Sequence, residues 1–284
     1  MKIATTIFRI STKVINTKLF EISKSLNVPT DALRGIIGTV PQQRNLQLYI
    51  AFDDVTEMTN TVGYRKCSNC SPSAKLVEDY PGPFGIPKSA FSTDMQCPSC
   101  DIVSHKFSPP IRMSSFTLSF FWRSNSANGI NGIFHDSRCC DFSRFSIISR
   151  FENLEIHSHN ASVAYWERQV YGNSRSVAIV PNIFKQRQWT FVAITYENGH
   201  LQVFDKYGSV IHDQWNFHID PVVTEFVDIG RAYRYGTNYF MTPSTAISCL
   251  SYHNSVLTRQ QITALPCACQ FKQTLMTGQF RQIN

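Results

Sequence analysis

A nine-residue stretch, Gln188-Trp-Thr-Phe-Val-Ala-Ile-Thr-Tyr196, constrains the fold of this chain most, because it is apolar on both sides of a strand. Alternation puts Trp189, Phe191 and Ala193 on one face and Val192 and Ile194 on the other. Such a strand must be central and covered from both sides. Asn198-Gly199 follows, and then His200-Leu-Gln-Val-Phe204 alternates again. Both turn residues accept positive φ, so the spacing predicts an antiparallel hairpin. Phe226-Val-Asp-Ile-Gly-Arg231 predicts another strand, interrupted by glycine near its end. Cys249-Leu-Ser-Tyr252 predicts one more, leading into a helical pattern from Val256 to Leu265. Thr258, with Gln261 three residues on, has the spacing of a capping box for that helix.

Alternation recurs earlier in the chain. Ser115-Phe-Thr-Leu-Ser-Phe-Phe-Trp122 puts Phe116, Leu118, Phe120 and Trp122 on one face, the mark of a half-buried strand. Further strands are predicted at Leu46–Phe52, Gly132–His135, Arg144–Ser149, Asn153–His159, Val163–Val170 and Ser176–Val180. Between residues 60 and 110, loops are expected to dominate around short strands at Ala74–Val77 and Ser89–Ser92. More than ten strands against a single helix predict an all-β fold: an antiparallel two-sheet jelly-roll sandwich with one short C-terminal helix. A chain of 284 residues with 13% aromatics and only 17% charged residues suits one large β-domain with buried aromatic faces. The expected division is a basic, poorly ordered extension over 1–45, the domain over 46–270 and a tail over 271–284.

The net charge of +7 is concentrated at the start of the chain. Residues 1–45 carry seven basic residues against two acidic ones, leaving 20 basic and 18 acidic residues in the remainder. That near-neutral balance gives the domain little electrostatic footprint for nucleic acid. Nine cysteines favour an oxidising compartment, and their odd number leaves at least one thiol free or paired between chains. The sequons Asn69-Cys-Ser71 and Asn160-Ala-Ser162 permit glycosylation there. No window approaches the roughly 18 apolar residues of a spanning helix. Arg9 and Lys13 interrupt the opening stretch, which therefore lacks the apolar run of a secretory signal. It reads either as an organelle transit segment or as a start whose true signal is missing, and the cysteines favour the second.

Residues in the second half resemble the laminin G-like and pentraxin-like group of concanavalin A-type jelly rolls. The matching parts are Gln188-Trp-Thr-Phe-Val-Ala193, Asn198-Gly-His-Leu-Gln-Val-Phe204, Asp228-Ile-Gly-Arg231 and the closing run from Ile247 to Ile262. The resemblance is good from about Ser114 to Cys267, weaker from Leu46 to Ser92 and absent before that. It implies two curved antiparallel sheets, an extracellular setting, and binding of glycans, proteins or calcium. It also implies a disulfide near this end. Cys249 and Cys267 flank the last strand and helix, and Cys269 competes for the same partner. A loop of that size contributes roughly 3 kcal/mol, mainly by restricting the unfolded chain.

Other chemical signals are weaker. Cys67-Ser-Asn-Cys70 and Cys97-Pro-Ser-Cys100 have the paired spacing of a four-thiolate zinc site, but 26 residues separate the pairs and the span contains strand candidates. Disulfides are the preferred use for these four and for Cys139 and Cys140. His157 and His159 share a strand face without an evident third ligand, which fits two solvent-facing histidines better than a metal site. Asp53, Asp54, Asp136 and Asn238 are loop candidates for calcium with no fixed ligand spacing. Glycosidases of this fold use a Glu-x-Asp-x-Glu strand, whereas Glu152-Asn-Leu-Glu155 would put its acids on opposite faces. No nucleophile elbow or phosphate-cradling loop is present.

The sequence thus predicts a non-enzymatic extracellular recognition or adhesion module with glycan or protein ligands and possible calcium assistance. The alternative is a lectin or glycoside hydrolase of the same fold.

Overall fold

The computed structural model describes residues 46–50, 63–65, 81–86, 89–92, 102–124, 129–136, 145–159, 174–219, 223–234, 237–240 and 245–276. The extension over 1–45 and the strands expected at Ala74–Val77 and Val163–Val170 lie outside them. The described strands are β1 (Leu46–Ile50), β2 (Gly63–Arg65), β3 (Ile102–Arg112), β4 (Ser115–Ser124), β5 (Ile130–His135), β6 (Phe145–Arg150), β7 (Asn153–His159) and β8 (Ser174–Val180). They continue as β9 (Thr190–Glu197), β10 (His200–Phe204), β11 (Val210–Gln214), β12 (Val223–Ile229), β13 (Arg231–Arg234), β14 (Thr237–Phe240) and β15 (Thr245–His253). A helix, α1 (Arg259–Met276), follows.

Two antiparallel sheets form a jelly-roll sandwich. The first has the order β1-β15-β4-β9-β10-β11 and the second β2-β3-β12-β5-β6-β7-β8. As its two apolar faces require, β9 is central, paired with β4 on one side and β10 on the other. Val192 and Ile194 point into the main core between the sheets, while Phe191 and Ala193 join a second core on the outer face. That second core is roofed by Leu257, two residues before α1, and by Ile262, Leu265 and Cys269 of α1. In the hairpin, Glu197 stands opposite His200, with Asn198 and Gly199 at φ 50° and 84°. The turn is the one the Asn-Gly pair predicts.

Aromatic rings organise the main core. Phe116 is fully buried and meets Phe145 edge-on at 5.3 Å, Tyr196 at 5.7 Å and Tyr252 in a stack at 5.7 Å. Burial pushes the Tyr252 hydroxyl well above its ordinary pKa, with the negative charge of Asp136 adding to the shift. The phenol therefore stays neutral.

Besides the short strands β2, β13 and β14, three elements differ from the sequence expectation. Residues 102–112, expected to be mainly loop, form the long strand β3 between β2 and β12. Its Pro109 and Pro110 fall where the register with β12 shifts, between the pairs Thr224–Ile111 and Phe226–Lys106. A proline in such a bulge forfeits no ladder hydrogen bond. The edge strand β11 was not anticipated, because Val210-Ile-His-Asp-Gln214 is exposed along most of its length and shows no buried alternation. The helix starts under the expected capping box, with the Thr258 amide donating to Gln261 Oε1 at 2.9 Å and the Gln261 amide to Thr258 Oγ1 at 3.3 Å. It then runs beyond Leu265, through Pro266 and past residue 270, where the sequence reading ended the domain. Pro266 costs that helix one amide bond, and the packing of Cys269 beyond it holds the last turns on the sheet.

Replacing Phe116 with Ala should lower unfolding stability by about 3–5 kcal/mol, because three ring neighbours cannot collapse into the space. Thr258→Ala should cost only about 1 kcal/mol through the lost cap. Urea denaturation followed by tryptophan fluorescence measures both.

Candidate functional site

Helix α1 covers only part of the outer face of the first sheet, leaving the edge built by β10 and β11 open. Leu201 and Val203 of β10 point inward, so His200, Gln202 and Phe204 point outward. Phe204 disappears under the helix, whereas His200 and Gln202 do not. Gln202 stands opposite Asp213 of β11, and Trp215 follows directly after that strand.

These four side chains lock together. His200 lies flat on Trp215, with ring centroids 3.7 Å apart and planes 8° from parallel. His200 Nε2 donates to Asp213 Oδ1 at 2.6 Å, and Gln202 Nε2 donates to the other carboxylate oxygen at 3.1 Å. The histidine bond first and the glutamine bond second hold the Asp213 carboxyl below its usual pKa. The backbone around Trp215 is anchored as well. Gln214 Nε2 reaches the Val177 carbonyl of β8 at 3.5 Å, and the amide of buried Phe217 donates to the Gly199 carbonyl at 3.0 Å. Trp215 nevertheless remains 66% exposed. At the other end of β11, Asp205 Oδ1 accepts the Tyr207 and Ser209 amides, which fixes a turn where Lys206 sits 4.9 Å from the exposed Tyr207 ring.

A second polar array lies inside the other sheet. Asp228, His135, Ser146 and His157 are in register across β12, β5, β6 and β7, so their side chains share one face. All four are fully buried, as is Glu155 two residues before His157. Glu155 accepts from His157 Nε2 at 3.0 Å and pairs with Arg150 Nη1 at 3.5 Å. The hairpin of β13 and β14 packs against β5, and β13 also against β6. This array is closed to an external ligand, and it corrects the expectation that His157 faces solvent. Period-two alternation tells that two residues share a face, not whether the face is covered.

The structure brings few of the other sequence candidates together. Cys249 pairs with Cys269, their Cα atoms 5.8 Å apart, and Cys267 is free and exposed. Cys249 takes φ 50° where the β15 register shifts between Ser248 and Ser251, which leaves its sulfur in the core under α1. Asp136 is not a solvated loop residue: it is buried at the end of β5, and its Oδ1 accepts the Phe145 amide at 3.0 Å. Asn238 belongs to strand β14 rather than to a loop. Glu152 pairs at the surface with Lys185 at 3.4 Å, separately from Glu155. Cys67, Cys70, Cys97, Cys100, Cys139, Cys140, Asn69, Asn160, Asp53 and Asp54 lie outside the described residues, as does the side chain of His159. Among the described residues, no group of three or more His, Cys, Asp or Glu is arranged to hold a metal ion, and no helix is long and apolar enough to cross a membrane.

No protein-family model and no curated protein matches this sequence. Solved structures do share its fold. The binding domain of botulinum neurotoxin serotype D is 13% identical with a TM-score of 0.50, the match covering 80% of this chain and 51% of that one. The serotype G binding domain is 10% identical with a TM-score of 0.51, covering 79% and 51%. The chain thus spans about half the length of the structures it matches. At these identities the likeness concerns the fold alone.

The lowered Asp213 pKa has a definite sign. A carboxyl depressed in the folded state stabilises the fold above its unfolded pKa, and that contribution is lost as pH falls through the folded value. His200→Ala should therefore return the Asp213 carboxyl toward its ordinary range. Carbon-detected NMR titration measures the change, and an unchanged midpoint in the variant would contradict the assigned cause.

Proposed function

We propose that this chain is a non-enzymatic recognition or adhesion module of the laminin G-like type that works outside the cell on glycan or protein ligands. The observation carrying this reading is Trp215, left 66% exposed with one ring face stacked on His200 and the chain beyond it tied back by the Phe217 amide. Large aromatic side chains normally bury themselves, and exposed ones are the groups that recognition surfaces use as anchors. The fold agrees, since the two neurotoxin structures that share it are themselves binding domains. The Cys249–Cys269 disulfide supports an oxidising location. The nearly balanced charge beyond residue 45 supports a partner other than nucleic acid.

A glycoside hydrolase would need two carboxylates facing each other across the scissile bond. Glu155 is buried against Arg150 and His157, and Glu152 is engaged on Lys185, so neither offers its partner that geometry.

The test is retention of the full chain on a glycan array and on intact cells, with and without chelator. Binding to at least one surface is expected, with no consumption of any glycan. Loss of binding in chelator would assign calcium a part in it. Failure to bind either surface would sink the reading, as would glycan turnover that disappears in Glu152→Gln or Glu155→Gln.

A further inference from the structure

We infer that the tip of the β6–β7 hairpin and the stretch beside it form a contact surface for an anionic phospholipid layer, the Phe151 ring entering the headgroup region while Lys185 and Arg187 meet the phosphates. This contact does not involve Trp215, and it goes beyond the glycan or protein ligands proposed above.

The argument starts from what Phe151 costs the fold. Arg150 and Asn153 stand opposite each other, so Phe151 and Glu152 make a two-residue turn. Phe151 takes φ 54°, and Glu152 is not left-handed. Positive φ at the first of two turn residues is the place where hairpins ordinarily carry glycine, because a β-carbon is crowded there. Burial does not offset the strain, since the ring is 48% exposed. Strain and exposure both oppose stability, and a residue kept under those terms points to a role in binding. Six non-glycine residues are left-handed among the described residues. Three are Asn, which tolerates that conformation, and Cys249 is held by its disulfide. The other two are Phe151 and Arg187, and they lie at the same end of the sandwich.

Hydrogen bonds tie that end together. The Phe151 amide donates to the Gly129 carbonyl at 2.8 Å, the Phe184 amide to the Glu152 carbonyl at 2.9 Å, and the Arg187 amide to the Ser124 carbonyl at 2.6 Å. The Asn182 amide donates to Asn153 Oδ1 at 3.0 Å, and Lys185 Nζ reaches Glu152 Oε2 at 3.4 Å. The turn, the 181–189 stretch and the ends of β4 and β5 therefore keep Phe151, Lys185 and Arg187 near one another.

Charge and apolar surface together select the partner. Lys185 and Arg187 are exposed, and Arg150 is partly exposed with its guanidinium 5.6 Å from the centre of the Phe151 ring. Of the acids that pair with these groups, Glu155 is buried and Glu152 reaches the surface. Residues 125–128 and 241–244, which lead from Ser124 and into its partner Thr245, carry no charge. An apolar ring flanked by cations suits the boundary between anionic headgroups and acyl chains, where the ring leaves water and the cations meet negative charge. A sulfated polysaccharide would engage the cations but give the ring nothing apolar to enter.

The test is co-sedimentation of the full chain with phosphatidylcholine vesicles, with and without phosphatidylserine, alongside retention on immobilised heparin. Binding to the phosphatidylserine vesicles is expected to exceed binding to phosphatidylcholine alone. Phe151→Gly should weaken it at least about tenfold, a loss of roughly 1.4 kcal/mol. The same substitution should raise the thermal midpoint by about 2–4 °C, because the turn loses its strain. Arg187→Gln should weaken vesicle binding about fivefold. Equal vesicle binding by wild type and Phe151→Gly would overturn the proposal, as would binding to neither vesicle. Equal binding to both vesicles would overturn its charge selectivity. A lowered midpoint in Phe151→Gly would show the ring to be a structural support and overturn the argument from strain. Retention on heparin that is indifferent to Phe151→Gly, in place of vesicle binding, would overturn it in favour of an anionic polysaccharide.

Discussion

Burial of β9 on both faces is the constraint on which the other elements depend. A strand with Val192 and Ile194 on one side and Phe191 and Ala193 on the other has no solvent-facing side to give up. One side is satisfied by the second sheet, as in any sandwich. The other needs a cover that strands of the first sheet cannot supply, because they lie beside β9 rather than over it. The helix α1 and the residue leading into it supply it, with Leu257, Ile262 and Leu265 over Phe121, Phe191 and Phe204. The link between Cys249 and Cys269 ties that cover to the sheet beneath it. An 18-residue helix that contains Pro266 gains little from intrinsic propensity. Tertiary packing and the covalent tie therefore hold it in place.

Most of this was legible in the sequence wherever burial wrote a period. The extents of β7 and β10, the pairing of β9 with β10 and the capping of α1 follow from alternation, from Asn198-Gly199 and from Thr258 with Gln261. Legibility failed where side chains record no burial or where tertiary structure overrides local preference. Strand β11 carries Val210, Ile211 and Asp213 toward solvent, so no apolar period marks it. In β3 the Pro109-Pro110 pair reads as loop, and only pairing with β12 reveals the bulge that accommodates it.

The candidate site was hidden for the same reason. Trp215 lies outside any strand pattern, and His200 and Gln202 look like ordinary outward residues of a hairpin. Their association depends on the β10–β11 register, which brings Gln202 opposite Asp213 and carries Trp215 back toward His200. The choice between Cys267 and Cys269 was likewise out of reach of spacing. It depends on the left-handed bend at Cys249, which leaves that sulfur in the core Cys269 shares, while Cys267 stays exposed.

The two polar arrays divide between stability and recognition according to their access to water. Asp228, His135, Ser146, His157 and Glu155 would look like chemistry if only residue types were considered, since they assemble acids, histidines and a hydroxyl in one buried patch. A low-dielectric interior makes each of their bonds stronger and each loss more costly, so such a patch fixes how strands align. It cannot meet a substrate without opening the sheet that holds it. Trp215, His200, Gln202 and Asp213 reverse each of those terms. Their bonds face solvent and are individually weak, and the indole is stacked on His200 while its neighbours Gln214 and Phe217 are hydrogen-bonded to Val177 and Gly199. Such contacts do little for folding, because water competes for each of them. They do favour association, because they supply in the free protein part of the ordering that a ligand would otherwise have to impose.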